Sequence, residues 1–200
     1  EISECLVGSE MCIRDRAKSD SRILAAYLKG SRTNPNVPKD VYQDFDLMYV
    51  VTETDSFRQT GRLDVFGPRI LPQEQDDDFG YGDRFGLRSN YQQLYSWLLL
   101  LEDGNRIDLG VETVEHMQQG CTRNKLFLPL LDKIGCLPKL PPPSDEDFHV
   151  KPPTASQFHG CCNEFFWSLC DVAKGIARNE LPFAMTTYLS LIHISEPTRH

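Results

Sequence analysis

The chain has 200 residues, of which 40% are hydrophobic and 25% charged, the usage of an ordinary globular protein. Its formal net charge of -8 argues against a nucleic-acid partner, because nucleic-acid-binding surfaces are basic. No apolar run approaches the ~20 residues that a membrane-spanning helix needs, so we expect no membrane partner either. The composition favours an intracellular enzyme.

Both ends of the chain resemble translated sequencing-adapter sequence, and we expect them to be non-native. These segments are residues 1–16 and 190–200. A targeting peptide does not explain the N-terminal segment, because its glutamates lie where a signal peptide carries basic charge and no long apolar region follows. We therefore expect a fragment that lacks its true start and most of a second, helical domain.

The remaining sequence predicts two domains joined by a proline-rich linker. Strand and short-helix patterns over residues 17–137 predict an α+β catalytic domain. Prolines recur through residues 138–155 and mark the linker, because proline fits neither a helix interior nor a central strand. Residues 156–189 predict the start of a truncated helical domain that binds substrate.

The first predicted strand, 22–28, runs into a turn formed by Gly30, Ser31 and Arg32. Glycine allows a backbone to approach a phosphate closely. The serine adds a hydroxyl and an N–H donor. The turn is therefore a candidate phosphate-binding loop.

The second predicted strand, 45–51, opens with a pair of aspartates. Asp44 and Asp46 are two residues apart, so on a strand their side chains face the same way, roughly 7 Å apart. Two such carboxylates can share Mg²⁺, which prefers oxygen ligands and keeps room for substrate phosphates. A metal pair beside a phosphate turn is the layout of a nucleotidyl-transferring site.

Residues 98–111 predict a β-hairpin with its turn at Asp103-Gly104. In its second strand, Arg106, Asp108 and Gly110 face one way and the intervening apolar residues face the other. An acid inside an apolar strand needs a partner. A metal ion or a hydroxyl to be deprotonated is one such partner, and an ion pair with Arg106 or a lysine is the other.

Five more elements are predicted. A short helix and a strand fall within 52–72, another short helix near 111–119, and a last strand at 126–131. From residue 158 to 176, apolar residues recur at spacings of three and four, which predicts a helix of about six turns. Another face of that helix carries Glu164, Trp167, Asp171, Lys174 and Arg178. This face is either solvated and lined with ion pairs, or it closes a substrate cleft.

With its motifs in this order, the chain resembles the aminoglycoside 6-adenylyltransferases (streptomycin adenylyltransferases) of the nucleotidyltransferase superfamily. The resemblance extends over roughly residues 20 to 188. It rests on residues 30–36, 39–40, 43–46, 65–70, 103–109, 130–133, 162–167 and 172–182. The chain departs from the family at Ile134, where we expect an acid, and at Pro68, Leu71 and Pro72. None of these departures touches the three aspartates.

The resemblance implies an α+β, polymerase-beta-like mixed sheet with flanking helices. It also implies Mg²⁺-dependent transfer of AMP from ATP to a hydroxyl of an aminoglycoside, streptomycin at its 6-position, conferring antibiotic resistance. Asp44 and Asp46 would hold Mg²⁺, and Asp108 would complete the metal site or act as general base. Gly30 and Ser31 would cradle the β- and γ-phosphates, with Arg32 as a supporting cation.

In the helical domain, the same resemblance implies that Lys174 reaches the nucleotide phosphates and that Glu164 or Trp167 contacts the antibiotic. We expect a cytoplasmic monomer. Two alternatives remain open: a catalytically inactive nucleotide-binding fragment, and a nucleotidyltransferase acting on a different small-molecule hydroxyl. A sugar-nucleotide glycosyltransferase also uses Asp-x-Asp with a metal, but it is not expected to carry the upstream Gly-Ser turn.

Overall fold

A computed structural model of the chain describes residues 13–59, 66–74, 82–86, 89–120, 125–149 and 151–195. Residues 1–12 and 196–200 of the predicted non-native ends lie outside this part of the chain. The chain divides into two compact units, Glu1–Asp147 and Phe148–His200, and each is described by itself. The predicted domain boundaries at residues 137 and 156 stay a prediction.

The first unit is built on one mixed sheet of six strands. The strands are β1 (Ile23–Lys29), β2 (Phe45–Val51), β3 (Arg69–Glu74), β4 (Leu94–Leu101), β5 (Arg106–Thr113) and β6 (Phe127–Asp132). They lie in the order β3-β4-β5-β2-β1-β6. Strands β2 and β5 pair in parallel, and every other neighbouring pair is antiparallel. With the flanking helices, this sheet confirms the predicted α+β class.

Helices flank the sheet and make up most of the second unit. They are α1 (residues 13–19), α2 (Asp55–Gln59), α3 (Val114–Gly120), α4 (Ala155–Ala177) and α5 (Leu181–Ser195). Among the described residues, no helix is both long enough and apolar enough to cross a membrane.

The two faces of the sheet carry different amounts of apolar surface. One face bears the main core, which includes Phe45, Leu47, Leu99, Ile107 and Leu109. The opposite face bears a smaller cluster, formed by Ala25, Tyr27, Met48, Val50, Met117 and Phe127. Because strand side chains alternate, the even-numbered residues of β2 and β5 belong to the side of the smaller cluster. This alternation confirms the predicted facing of Arg106, Asp108 and Gly110.

Helix α1 includes the last residues of the segment expected to be non-native. Ile13 and Ala17 are fully buried in the main core. The Tyr49 hydroxyl donates to the Ile13 carbonyl at 3.1 Å. Residue 13 therefore packs as part of the first unit, which the adapter-like sequence pattern did not predict.

The predicted hairpin is confirmed, and its turn explains why. Strands β4 and β5 pair from Leu94–Glu112 to Leu100–Arg106. Gly104 in the turn has φ 86°, a left-handed conformation that glycine adopts without steric cost. The described structure also contains the predicted strands near 22–28, 45–51 and 126–131, with bounds shifted by at most one residue.

The second unit is a pair of helices. Thr154 begins α4 with a capping box, in which its side chain accepts from the Gln157 N–H and the Gln157 side chain accepts from the Thr154 N–H. Gly175 lets α5 approach closely, because a Cβ there would lie 3.0 Å from the Ala184 Cβ. The predicted apolar face of α4 is nonetheless largely exposed, with Phe158 60% and Ile176 62% accessible and Val172 buried.

Candidate active site

The turn after β1 and the aspartate of β2 lie against each other. Gly30 has φ 75° and ψ -160°, a region of backbone conformation that is essentially restricted to glycine. A Cβ on Gly30 would come 2.9 Å from the Asp46 Cγ and closer still to its Oδ2. Glycine is therefore required twice, once by the backbone angles and once by the carboxylate that fills the space where a side chain would lie.

Asp46 and Asp108 lie side by side on the two parallel strands. They are Cα partners in the β2–β5 register, and each lies near the first residue of its strand. Burial, followed by the like charges of Asp108 and Asp44, raises the pKa of Asp46, while Lys29 and Arg106 oppose the rise. The site thus gathers negative charge that the protein itself only partly neutralises.

Arg106 supplies part of that neutralisation. Its Nε and Nη2 donate to the two Asp108 oxygens at 3.0 and 3.1 Å, and its Nε lies 3.5 Å from Asp44 Oδ2. Asp108 raises the pKa of Arg106, so the guanidinium is charged. The ion pair considered for Asp108 is therefore present, and it joins Asp108 to Asp44.

The donor chemistry of the aspartate cluster, formed by Asp44, Asp46 and Asp108, fits Mg²⁺. Its three carboxylates offer hard oxygen ligands. Burial first, and then the like charges of Asp108 and Asp44, raise the pKa of Asp46, and a bound cation would oppose both effects. As the side chains stand in the described residues, no three of the acids, histidines and cysteines are gathered closely enough to hold a metal ion. Both Asp108 oxygens accept hydrogen bonds from the Arg106 guanidinium.

Arg32 contacts the backbone at the start of β2. Its Nε donates to the carbonyls of Gln43 and Asp44 at 3.1 and 3.0 Å, and its Nη2 donates to Gln43 at 2.6 Å. The guanidinium carbon lies 3.6 Å from the centre of the Phe45 ring. In this conformation Arg32 holds in place the backbone that carries Asp44. Its predicted contact with phosphate stays a prediction.

Two further polar residues lie at the site and were not singled out from sequence. Lys29 is the Cα partner of Asp46 and lowers its pKa. Gln43 is 9% exposed, and neither atom of its side-chain amide has a hydrogen-bond partner within the described residues. A buried, unpaired amide is costly, and a polar ligand group would relieve that cost. The position of Lys29 directly before the glycine turn is a signal that could have identified it.

The remaining predicted site residues differ in their surroundings. Ser31 is exposed, and its carbonyl accepts from the Asn34 N–H at 3.1 Å. In the second unit, Trp167 is 71% exposed, and Glu164 accepts from the Ser168 hydroxyl at 3.2 Å. Lys174 pairs with Asp171 at 3.0 Å, as the ion-pair interpretation of that helix face expects. The predicted roles of Glu164, Trp167 and Lys174 stay predictions.

The chain is similar in sequence to a group of named enzymes. A profile of the family described as streptomycin adenylyltransferase matches residues 9–194. An aminoglycoside 6-adenylyltransferase of Campylobacter jejuni is 39% identical over 170 residues, covering 84% of this chain and 57% of the relative. One of Bacillus subtilis (strain 168) is 38% identical over 173 residues, covering 86% of this chain and 59% of the relative.

The chain also aligns with a solved structure. The crystal structure of an aminoglycoside 6-adenyltransferase from Bacillus subtilis aligns with a TM-score of 0.48 and 29% identity, covering 90% of this chain and 60% of that one. The chain therefore spans less than two thirds of the length of the relatives it matches. Because the family profile covers nearly the whole chain, including every residue of the aspartate cluster, the chain belongs to the streptomycin adenylyltransferase family.

Proposed function

We propose that the protein transfers AMP from ATP to a hydroxyl of an aminoglycoside, in the manner that the names of its relatives describe. The observation that carries the proposal is the apposition of the Gly30 turn with the Asp46 carboxylate, beside Asp108 on the paired strand. A binding site for a nucleoside triphosphate needs two features. One is a backbone that can approach the phosphates closely, and the other is a set of oxygen ligands for a metal ion. Streptomycin, modified at its 6-position, is the proposed acceptor.

The reaction exchanges one phosphorus–oxygen bond for another. The antibiotic hydroxyl oxygen attacks the α-phosphorus of ATP, the bond from that phosphorus to the bridging oxygen breaks, and pyrophosphate departs. The hydroxyl proton passes to water or to Asp108. Asp44, Asp46 and Asp108 would hold Mg²⁺, which when bound supplies charge neutralisation for the departing pyrophosphate. Alternatively, Asp108 accepts the proton of the attacking hydroxyl as general base, and Asp44 and Asp46 hold the metal alone.

The chain's other residues orient the two substrates in this proposal. The backbone around Gly30 and Ser31 lies against the β- and γ-phosphates, with Arg32 as a supporting cation. Lys174 reaches the phosphates from the helical unit, and Glu164 or Trp167 contacts the antibiotic. Net negative charge favours a cationic acceptor, and streptomycin carries two guanidinium groups. Since ATP is the donor, we propose that the protein acts in the cytoplasm.

Mass spectrometry of streptomycin incubated with the full chain, ATP and Mg²⁺ tests the proposal. A product heavier by one AMP, absent with Asp46→Asn, is the expected result. Calorimetric titration with ATP in the presence of Mg²⁺ separates the remaining outcomes. ATP binding without product favours an inactive nucleotide-binding fragment or a different acceptor hydroxyl, and the absence of both binding and product contradicts the proposal for this chain.

A further inference from the structure

A carboxylate far from the aspartate cluster in sequence holds the loop that follows Gly30. Asn34 Nδ2 donates to Asp145 Oδ2 at 3.2 Å, and Asn36 Nδ2 donates to Asp145 Oδ1 at 2.7 Å. These partners are separated by 111 and 109 positions in the chain. Each carboxylate oxygen of Asp145 thus accepts a hydrogen bond from one side-chain amide of the loop. Neither bond is a local contact along the chain.

Hydrogen bonds within the loop connect Asn34 and Asn36 to the turn at Gly30. Asn36 N–H donates to Asn34 Oδ1 at 2.9 Å, and Asn34 N–H donates to the Ser31 carbonyl at 3.1 Å. Thr33 donates to the Gly30 carbonyl from both its N–H, at 3.0 Å, and its hydroxyl, at 2.8 Å. Asn34 itself is buried. Holding the amides of Asn34 and Asn36 therefore fixes the backbone of the turn.

Asp145 is itself anchored on both sides. The Ser144 N–H donates to the Lys125 carbonyl at 3.2 Å, and the Lys125 N–H donates to Asp147 Oδ2 at 3.2 Å. The Lys125 side chain also forms an ion pair with Glu146. Residues 144–147 are thus bonded to the segment just before β6.

We propose that Asp145 is a positioning residue that fixes the Gly30–Asn36 loop in the shape that receives the ATP phosphates. The proposal rests on the proposed function, because the phosphate-binding role of the loop belongs to it. Asp145 acts through the amides of Asn34 and Asn36, since a carboxylate in direct contact with phosphate would be repelled. Hydrogen bonds to a charged acceptor are among the stronger ones, so their loss has a measurable effect.

A double-mutant cycle tests the assignment by exchanging the partners. Asn36→Asp places a carboxylate against Asp145, and Asp145→Asn replaces the shared acceptor with an amide. We expect each single change to weaken ATP binding about tenfold, the size expected for a lost charged hydrogen bond. The double variant restores an amide-to-carboxylate bond with its direction reversed and keeps the net charge. Its ATP affinity should exceed that of either single variant without reaching that of the parent, because Asn36→Asp leaves a carboxylate on the loop. Losses that do not add are a coupling that independent sites do not show.

Two measurements are needed. The first is calorimetric ATP titration of the full chain with Mg²⁺. The second is hydrogen exchange, without ligand, of the backbone N–H groups of residues 31–34 and 36. Both single changes should speed that exchange, and the double change should slow it again. Asp55→Asn is the matched control, because Asp55 is an exposed acid of α2 that pairs with Arg58 of its own helix, and it should leave ATP affinity within about twofold of the parent.

The outcomes separate the two proposals. A parent chain that binds no ATP overturns the proposed function. A parent chain that binds ATP, with single variants that bind equally well or with losses that simply add in the double variant, overturns the role of Asp145 alone. Faster loop exchange without weaker ATP binding also overturns it, because Asp145 would then stabilise the loop without positioning it for phosphate.

Discussion

Asp108 and Glu112 lie on the same face of β5, four residues and roughly 13 Å apart, yet their surroundings are opposite. Glu112 is 3% exposed, and both its oxygens are engaged: the Tyr27 hydroxyl donates to Oε1, and His116 Nδ1 lies 2.7 Å from Oε2. Asp108 lies instead beside the like-charged Asp46, and the partly exposed Arg106, together with Lys29, offsets part of the repulsion.

The difference separates an acid that stabilises the fold from the acids to which we assign a role in the proposed reaction. A buried carboxyl group with complementary neighbours contributes to a unique packing. A cluster of like charges costs stability, and such conflicts concentrate at functional sites. The four variants that follow test this distinction, from the largest expected effect to the smallest.

Asp46→Asn should reduce AMP transfer by about a thousandfold or more, because charge stabilisation by a bound metal supplies several kcal/mol. The free energy of unfolding should stay the same or rise, since the change removes a repelled, partly buried charge. Transfer is measured by mass spectrometry and unfolding by thermal denaturation. Asp55→Asn, at an exposed acid in α2, is the control and should retain transfer. A large loss of stability in Asp46→Asn would place Asp46 in the same class as Glu112.

Gly30→Ala should reduce both transfer, by about a hundredfold, and stability, because an alanine in this backbone conformation costs about 1–3 kcal/mol. Its Cβ would also displace the Asp46 carboxylate. Gly135→Ala is the matched control: Gly135 has φ 71°, but, its chain neighbours apart, no atom of the described residues lies within 4 Å of the position its Cβ would take. The control should lose stability and keep transfer. Equal loss of transfer in both variants would mean that the contact with Asp46 is unimportant.

Glu112→Ala should lower the free energy of unfolding by about 2–3 kcal/mol, because it leaves the Tyr27 hydroxyl buried without its acceptor and opens a cavity. Transfer by the folded protein should be nearly unchanged. Chemical denaturation measures the first quantity, and the rate of transfer at low temperature measures the second. Glu115→Ala, at an exposed position of α3, should change neither. A Glu112→Ala variant that is stable but inactive would reverse the comparison.

Asp20→Asn should cost about 2 kcal/mol at neutral pH, the amount implied by a pKa lowered from 3.8 to about 2. The hydrogen-bonded Arg22, at 2.6 Å, is the main cause, and the Asp20 side chain is 9% exposed. Because the folded-state pKa lies below the unfolded one, this stabilisation is present above pH ~4 and disappears as the pH falls towards 2. Melting temperatures of both proteins across that range should therefore converge in acid. A constant difference would show that the ion pair is not the cause.

Much of the fold could be predicted from sequence because its signals are local. The hairpin followed from Asp103-Gly104 and the alternation of β5, and strand β2 followed from the apolar run after Asp46. The facing of Asp108 followed from the period of the strand. Each of these depends on residues within a few positions of one another, where geometry is fixed by the chain itself.

The features that sequence did not predict are set by long-range packing. The contact of Arg106 with Asp44, and the hydrogen bonds from Arg32 to backbone carbonyls, depend on which strands become neighbours. The bonds from Asp145 to the loop join residues more than a hundred positions apart. The apolar residues of α4 recur at helical spacing, as on any helix that packs on a core, yet most of them are exposed. Periodicity identifies an apolar face of a helix, but it does not show what covers that face.

The parallel pairing of β2 with β5 also decides when the site can come into existence. Asp46 and Asp108 are 62 residues apart, and they meet only when a long chain segment has closed and a parallel register has formed. Non-local pairing of this kind is slow, because loop-closure entropy is lost before the contacts form. Recovery of nucleotide binding during refolding should therefore report completion of the central sheet, after the local β4–β5 hairpin has already formed.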